Sequence, residues 1–304
     1  MKFLYYFPGK QVPMEPSLQT IDAYASLAKA AAHAGFAGVA VDEHPIPSEE
    51  WRQGRGGHDC LDPFIALAVV AATEPQLELL TYLAVVPFRN PLMLAKQAAT
   101  LDVMSGGRLL FGVGTGYQPL EFEALGVDFD ERNALFDEGL HVIKLAWSGE
   151  VVNYSGVGFR ARSVRALPTP CRVPHPPIWI GGNSKLTIRR VVDEGQGWMP
   201  MPNPRSKTAV GRGVPLETAG DLAALKRYLD EYADARGRTE PIDIVHSLAL
   251  APTDPAALVD HLAELKQIGV TWVCVNGQGA DISEAVEWIE GFGASVISTV
   301  NPAL

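Results

Sequence analysis

LDVMSGGRLLFGVGTGYQPLEF, from Leu101 to Phe122, and PHPPIWIGGNS, from Pro174 to Ser184, decide how this chain is read. In each, a short apolar run reads as a buried strand that ends in glycines and gives way to a new helix. Backbone so arranged lets an anionic group approach its amides. Gly106 and Gly107 close a helical pattern just before the strand Leu109 to Val113, the usual place for a left-handed cap. Gly112, Gly114 and Gly116 interrupt and finish the strand, where glycine weakens pairing unless something must come close. Thr115 and Tyr117 then point at whatever approaches. In the second stretch Ile178 to Ile180 leads into Gly181, Gly182, Asn183 and Ser184, with a helical pattern from Lys185 to Glu194. Free amides, the Ser184 hydroxyl and the positive end of the helix dipole suit a phosphate. An ordinary N-cap by Asn183 or Ser184 is the other reading.

Outward from these stretches, strand-like and helix-like runs alternate along the whole chain. The expected strands are Lys2 to Phe7, Gly38 to Val41, Leu77 to Val86, Arg108 to Val113, Pro177 to Ile180, Gly197 to Pro200, Ile242 to Leu248 and Thr271 to Val275. Amphipathic runs lie between them, at Leu18 to Ala34, Leu61 to Ala72, Pro91 to Met104, Asp130 to Trp147, Lys185 to Glu194, Leu216 to Arg236, Pro255 to Ile268 and Ile282 to Ile297. Such alternation in 304 residues predicts one α/β domain, a (β/α)8 TIM barrel over residues 1–304. Two insertions break the pattern. Val151 to Arg165 reads as a hairpin or loose ribbon inserted after the fourth strand, packed on the side of the barrel. Met201 to Leu216, after the sixth, lacks apolar periodicity and is a candidate lid on the C-terminal face.

Composition narrows the function. A formal net charge of -10 argues against a nucleic-acid surface. Arg52 with Arg55, and Arg160, Arg162 and Arg165, form local basic groups that read as solvated faces. Cys60, Cys171 and Cys274 match neither a disulfide framework nor a metal spacing, and the seven histidines show no zinc pattern. No metal is expected. No segment has the length of a membrane helix and MKFLYYFP is too short for a signal peptide, so a cytoplasmic protein is expected. His44 ends the second strand in VAVDEH. At a barrel mouth a histidine there can hydrogen-bond a ring oxygen or act as acid or base. Trp147, Trp179, Trp272 and Trp288 fall on apolar patterns and read as core. Trp51 and Trp198 lie near strand ends and are the candidate substrate neighbours.

The phrases AAHAGFAGVAVDEH, DPFIALAVVAATEPQLELLTYLAVVPFRNPLMLAKQAATLDVMSGGRLLFGVGTGY and HPPIWIGGNS, followed by GQGWMPM, resemble the luciferase-like flavin and deazaflavin oxidoreductases. The likeness covers about residues 1 to 200 closely. HPPIWIGGNS with its Gly-Trp-Met-Pro continuation is similar to the subgroup that depends on coenzyme F420, while other members use FMN for monooxygenation. The resemblance implies a tricyclic ring over the C-terminal mouth and its phosphate on Gly181, Gly182, Asn183 and Ser184. It implies cofactor contacts by His44 and by Thr115, Gly116 and Tyr117, and a cis peptide between non-proline residues at Tyr82-Leu83, behind the ring. A homodimer through the helices near Leu61 to Ala72 and Pro91 to Met104 would suit the family, and its FMN users take reduced flavin from a partner reductase.

One departure matters. The branch that oxidises alcohols or sugar phosphates carries a glutamate after the GTG of the fourth strand, and here that position is Tyr117. Its tryptophan soon after the strand-two histidine is missing at the usual spacing, although Trp51 lies a few residues later. Reduction of an activated double bond or carbonyl demands less of the protein, mainly positioning and one proton source. His44 and Tyr117 are the candidate catalytic residues, with Tyr117 as that source. The alternatives are an FMN-dependent monooxygenase and a noncatalytic flavin-binding barrel.

Overall fold

The computed structural model describes residues 1–7, 12–54, 57–205, 213–249 and 253–302. Its strands are β1 (Lys2–Tyr6), β2 (Gly38–Val41), β3 (Glu78–Thr81), β4 (Ala84–Val85), β5 (Leu109–Gly114), β6 (Val152–Ser155), β7 (Arg160–Val164), β8 (Ile178–Gly181), β9 (Gly197–Met199), β10 (Asp243–Ser247) and β11 (Trp272–Asn276). All but β6 and β7 form one parallel sheet that closes on itself, because β5 pairs with both β3 and β4. The expected single strand Leu77 to Val86 is therefore two pieces of one barrel strand. Leu80 faces Leu110 and Ala84 faces Val113, so the third strand spends one residue more than β5 over this stretch. The extra residue is the signature of a bulge. It falls at Tyr82-Leu83, whose peptide bond is cis, as the resemblance implies.

Period-two alternation sorts side chains into two cores. Leu4, Ala40, Leu80, Leu110, Trp179 and Trp272 point into the barrel. Phe3, Tyr5, Val39, Leu79, Phe111 and Ile180 point outward under the helices. Several helices match their sequence signals residue for residue. Asn90 caps Pro91–Met104 through the Leu92 amide, and Ser184 caps Lys185–Glu194 through the Thr187 amide. Gly106 and Gly107 take positive φ beyond the first of these. Arg108 closes the far end of the barrel by donating to the carbonyls of Ala71, Glu74 and Leu77. The last expected helix is shorter, Ile282–Phe292, and continues as a π turn over Gly293–Ile297.

The insertion after the fourth barrel strand is the antiparallel hairpin β6–β7. It lies on the outside, where the Tyr154 hydroxyl donates to Glu138 at 3.1 Å on helix Arg132–Trp147. The second insertion is pinned at its roots by an antiparallel bridge between Asn203 and Leu216. The tip that would act as a lid, residues 206–212, lies outside the described residues, as does Arg55. Among the described residues no helix is long and apolar enough to cross a membrane, and no cluster could hold a metal ion.

Candidate functional site

Barrel order places the exits of β2, β3/β4, β5 and β8 side by side, an arc covering half of the C-terminal rim. Every segment singled out in the sequence for the cofactor opens onto it.

At the β2 exit, strand alternation continues into the polar run. Ala40 faces the lumen, so Asp42 and His44 emerge on that side while Glu43 turns outward. Glu43 accepts from the Val85 amide at 2.7 Å and pairs with Arg89, tying β4 to β2. Asp42 meets the His58 imidazole and the Tyr6 hydroxyl. Burial opposes its ionisation, but the hydrogen bonds and charge of His58 and the Tyr6 contact outweigh it and hold the carboxyl below its usual range. Burial, with Asp42 adding to it, pushes the Tyr6 phenol well above its usual range.

The loop after β2 folds back as a cap. Arg52 grips Asp59 through two hydrogen bonds of 2.6 and 3.0 Å, and the His44 amide donates to Cys60 Sγ at 3.1 Å. Trp51, in helix Glu49–Gln53, is thereby laid on His44 with ring centroids 4.3 Å apart and touches His58 at 5.0 Å. Trp51, expected as a substrate neighbour, makes its ring contacts with His44 and His58.

The β5 exit corrects the reading of its glycines. A side chain on Gly112 would meet the Thr81 carbonyl at 1.9 Å, one on Gly114 would meet Leu83, and one on Gly116, at φ +74°, would meet Phe122 and Val85. What comes close is the protein's own third strand and the following helix; no ligand is needed to explain these positions. A side chain on Gly181 would likewise meet Leu83, at 2.5 Å, so the residue after the cis bond sits over both strand ends. Thr115 and Tyr117 stay open at the mouth, Tyr117 with 48% of its surface exposed. The Tyr117 hydroxyl lies 3.3 Å from His44 Nε2.

Sequence reasoning missed the group behind His44. Glu121, in helix Pro119–Ala124, is 1% exposed, and its Oε2 lies 3.0 Å from His44 Nδ1. The other oxygen, Oε1, has no hydrogen-bond partner among the described residues. The signal was present, four residues after Tyr117, but a glutamate at a first helical turn reads as a dipole-compensating surface residue. Asp42 and His58 were missed for a similar reason: no local spacing links them.

At the β8 exit the backbone dominates. Gly182 has φ +126°, and the first amides of helix Lys185–Glu194 have no acceptor within the helix. Ser184 is the N-cap, and its hydroxyl also contacts the Thr187 hydroxyl at 2.9 Å. The Asn183 side chain is already spent. It donates to the Met201 and Val214 carbonyls at 2.7 and 3.1 Å and accepts from the Met201 amide at 2.8 Å. Only its backbone remains for a ligand. Trp198 is a second correction. It points outward under the helices, fully buried, with its indole donating to the Gly182 carbonyl at 2.8 Å, so it supports the loop and cannot neighbour a substrate.

Comparison with known proteins places this architecture. The family model described as luciferase-like monooxygenase matches residues 1–269. The chain is 27% identical over 318 residues to an FMNH(2)-dependent dimethylsulfone monooxygenase of Pseudomonas putida, covering 98% of this chain and 84% of that protein. Its fold is similar to that of the monooxygenase RslO1 from Streptomyces bottropensis, at TM-score 0.82 and 22% identity over 98% of this chain and 99% of that one. It is also similar to that of the coenzyme F420 dependent tetrahydromethanopterin reductase from Methanopyrus kandleri, at TM-score 0.74 and 16% identity, again over 98% and 99% of the two chains. The closed barrel, its broken third strand and the match over most of the sequence make this chain a member of the luciferase-like monooxygenase family.

Proposed function

We propose that the protein is an F420-dependent oxidoreductase that moves hydride to or from a small organic substrate. The observation that carries this reading is the arc itself: an anion-ready helix start at β8 and a histidine–tyrosine pair at β2 and β5, joined by the bulged third strand. Gly181, Gly182, Ser184 and the Asn183 backbone would hold the phosphate, since they lead into the start of helix Lys185–Glu194, whose first amides have no acceptor within the helix. Tyr82, Leu83, Thr115, Gly116, Tyr117 and His44 would border the ring. When bound, the reduced deazaflavin supplies hydride and little reactivity toward oxygen. His44 and Tyr117 hold and move the accompanying proton, and Trp51 keeps water from one face of the imidazole.

A second reading, an FMN-dependent monooxygenase served by a separate reductase, is favoured by the Pseudomonas relative, which is similar over nearly the whole chain. Fluorescence titration of the apoprotein with F420 and with FMN separates the two. Tight F420 binding with weak FMN binding is expected. The reverse, with oxygen consumption, transfers the assignment to oxygen chemistry, and binding of neither indicates a noncatalytic barrel. The three free cysteines suit a reducing cytoplasm. A homodimer would cover Ile65 on helix Pro63–Thr73 and Met93 on the neighbouring helix, which are 71% and 60% exposed. A monomer by sedimentation velocity would remove that part of the proposal.

A further inference from the structure

Glu121 has no part in the reading above, yet it is the most deeply buried carboxylate beside the reactive pair. Its Oε2 faces His44 Nδ1 at 3.0 Å, its Oε1 is unpartnered among the described residues, and the opposite edge of the same imidazole, Nε2, faces the Tyr117 hydroxyl at 3.3 Å. A carboxylate in its ionised form only accepts hydrogen bonds, so opposite an ionised Glu121 it is His44 Nδ1 that carries the proton. The basic lone pair of a neutral imidazole is then at Nε2, aimed at the phenol. Trp51 lies against the ring face, with centroids 4.3 Å apart, and Cys60 Sγ accepts from the His44 amide, fixing the backbone that carries the ring.

We infer that Glu121 is a positioning residue that fixes His44 in the Nδ1–H form, so that protons pass between His44 Nε2 and the substrate through the Tyr117 hydroxyl. The inference rests on the hydride-transfer reading for its chemistry and on the apoprotein geometry for its first step. A carbonyl that takes hydride at carbon from a reduced deazaflavin is reduced by two electrons, and its C=O electron pair moves to oxygen. That oxygen then needs one proton. For this direction the imidazole first takes a proton at Nε2 from solvent at the open mouth. The Tyr117 O–H bond then breaks toward the substrate oxygen, the phenol oxygen takes the proton from Nε2 of that imidazolium, and the imidazole returns to its neutral form with Nδ1–H still on Glu121. In the opposite direction the same groups carry the proton out. Tyr117, nearly half exposed, is the member that reaches the open mouth; Glu121 touches neither substrate nor solvent and acts only through His44.

The test begins without cofactor. Ring-nitrogen NMR of histidine-labelled full chain, with His44 assigned by its loss in His44→Gln, should show Nδ1 protonated and Nε2 bare in the neutral imidazole. Tyr117→Phe should keep that pattern, and Glu121→Leu should convert it to the Nε2–H form. An Nε2–H imidazole in the unmodified protein, or no change in Glu121→Leu, overturns the inference. Where Glu121→Leu fails to fold, Glu121→Gln carries the kinetic arm. With reduced F420 and a cyclic enone as probe, it should lower kcat on the order of 100-fold while leaving the KM for cofactor unchanged. Parallel losses in kcat and cofactor affinity would mark a merely structural carboxylate and overturn it equally. Because the ring spectra are taken on apoprotein, failure of F420 binding would remove the hydride-transfer reading and leave the tautomer result standing.

Discussion

The two ends of the arc are made of different material. At β2 and β5 the site is side chains: Asp42–His58 and Glu121–His44, two carboxylate-backed imidazoles with Trp51 touching both. At β8 it is backbone, a helix start whose side chains are committed to holding it, Ser184 as cap and Asn183 as clamp. The difference teaches where each part of the chemistry can be changed by mutation. The proposed proton-handling end would be lost with single side chains; the proposed anion-binding end would be lost only when the loop that aims its amides is loosened.

Breaking the side-chain end should have the largest effect. His44→Ala leaves the Glu121 carboxylate buried without its hydrogen-bond partner, and removing one member of a buried pair costs about 3 kcal/mol or more. Denaturant unfolding should show that loss, and the double variant His44→Ala with Glu121→Leu should recover part of it. A loss below about 1 kcal/mol would mean that the pair is not preorganised. Turnover should fall in both variants.

The backbone end should respond less. Asn183→Ala removes three hydrogen bonds to Met201 and Val214 and leaves buried main-chain groups unpaired, at a cost of about 2 kcal/mol. Inorganic phosphate or cofactor binding should weaken with it, since the loop after Gly182 is no longer clamped. Stability that falls while binding holds would show that the amides stay aimed without the clamp.

The smallest effect sharpens the comparison within the side-chain end. Asp42 has its folded-state carboxyl below the usual range, so its contribution to stability is present above about pH 4 and is lost as pH falls through the lowered value. Melting temperatures of the parent should therefore drop more steeply between roughly pH 5 and pH 3 than those of Asp42→Asn, which has no such group to protonate. Parallel slopes would mean that the His58 contact does not stabilise the carboxylate.

The barrel was legible because its signals are local. Alternating apolar runs, the Asn90-Pro91 start and the Gly106-Gly107 cap each act within a few residues, and the helix from Lys185 to Glu194 appears with the bounds its pattern predicts. His44 and Tyr117 could be named from their places after strands. What failed was attribution. Gly112, Gly114 and Gly116 carry a real demand for space, but spacing along the chain cannot say whether a ligand or the neighbouring strand fills it. Trp198 sits near a strand end, yet strand parity turns it outward.

By itself, then, the sequence determined a (β/α)8 chain with a histidine after the second strand and a glycine-rich turn into a capped helix after the fifth barrel strand. These follow from propensity, period and capping, which are properties of short segments. Only the tertiary structure decided that Glu121 stands behind His44, that Asp42 meets His58 across sixteen residues, and that Leu83 rests on Gly114 and Gly181. Those contacts join residues from different strand exits, and closing the barrel is what brings the exits together.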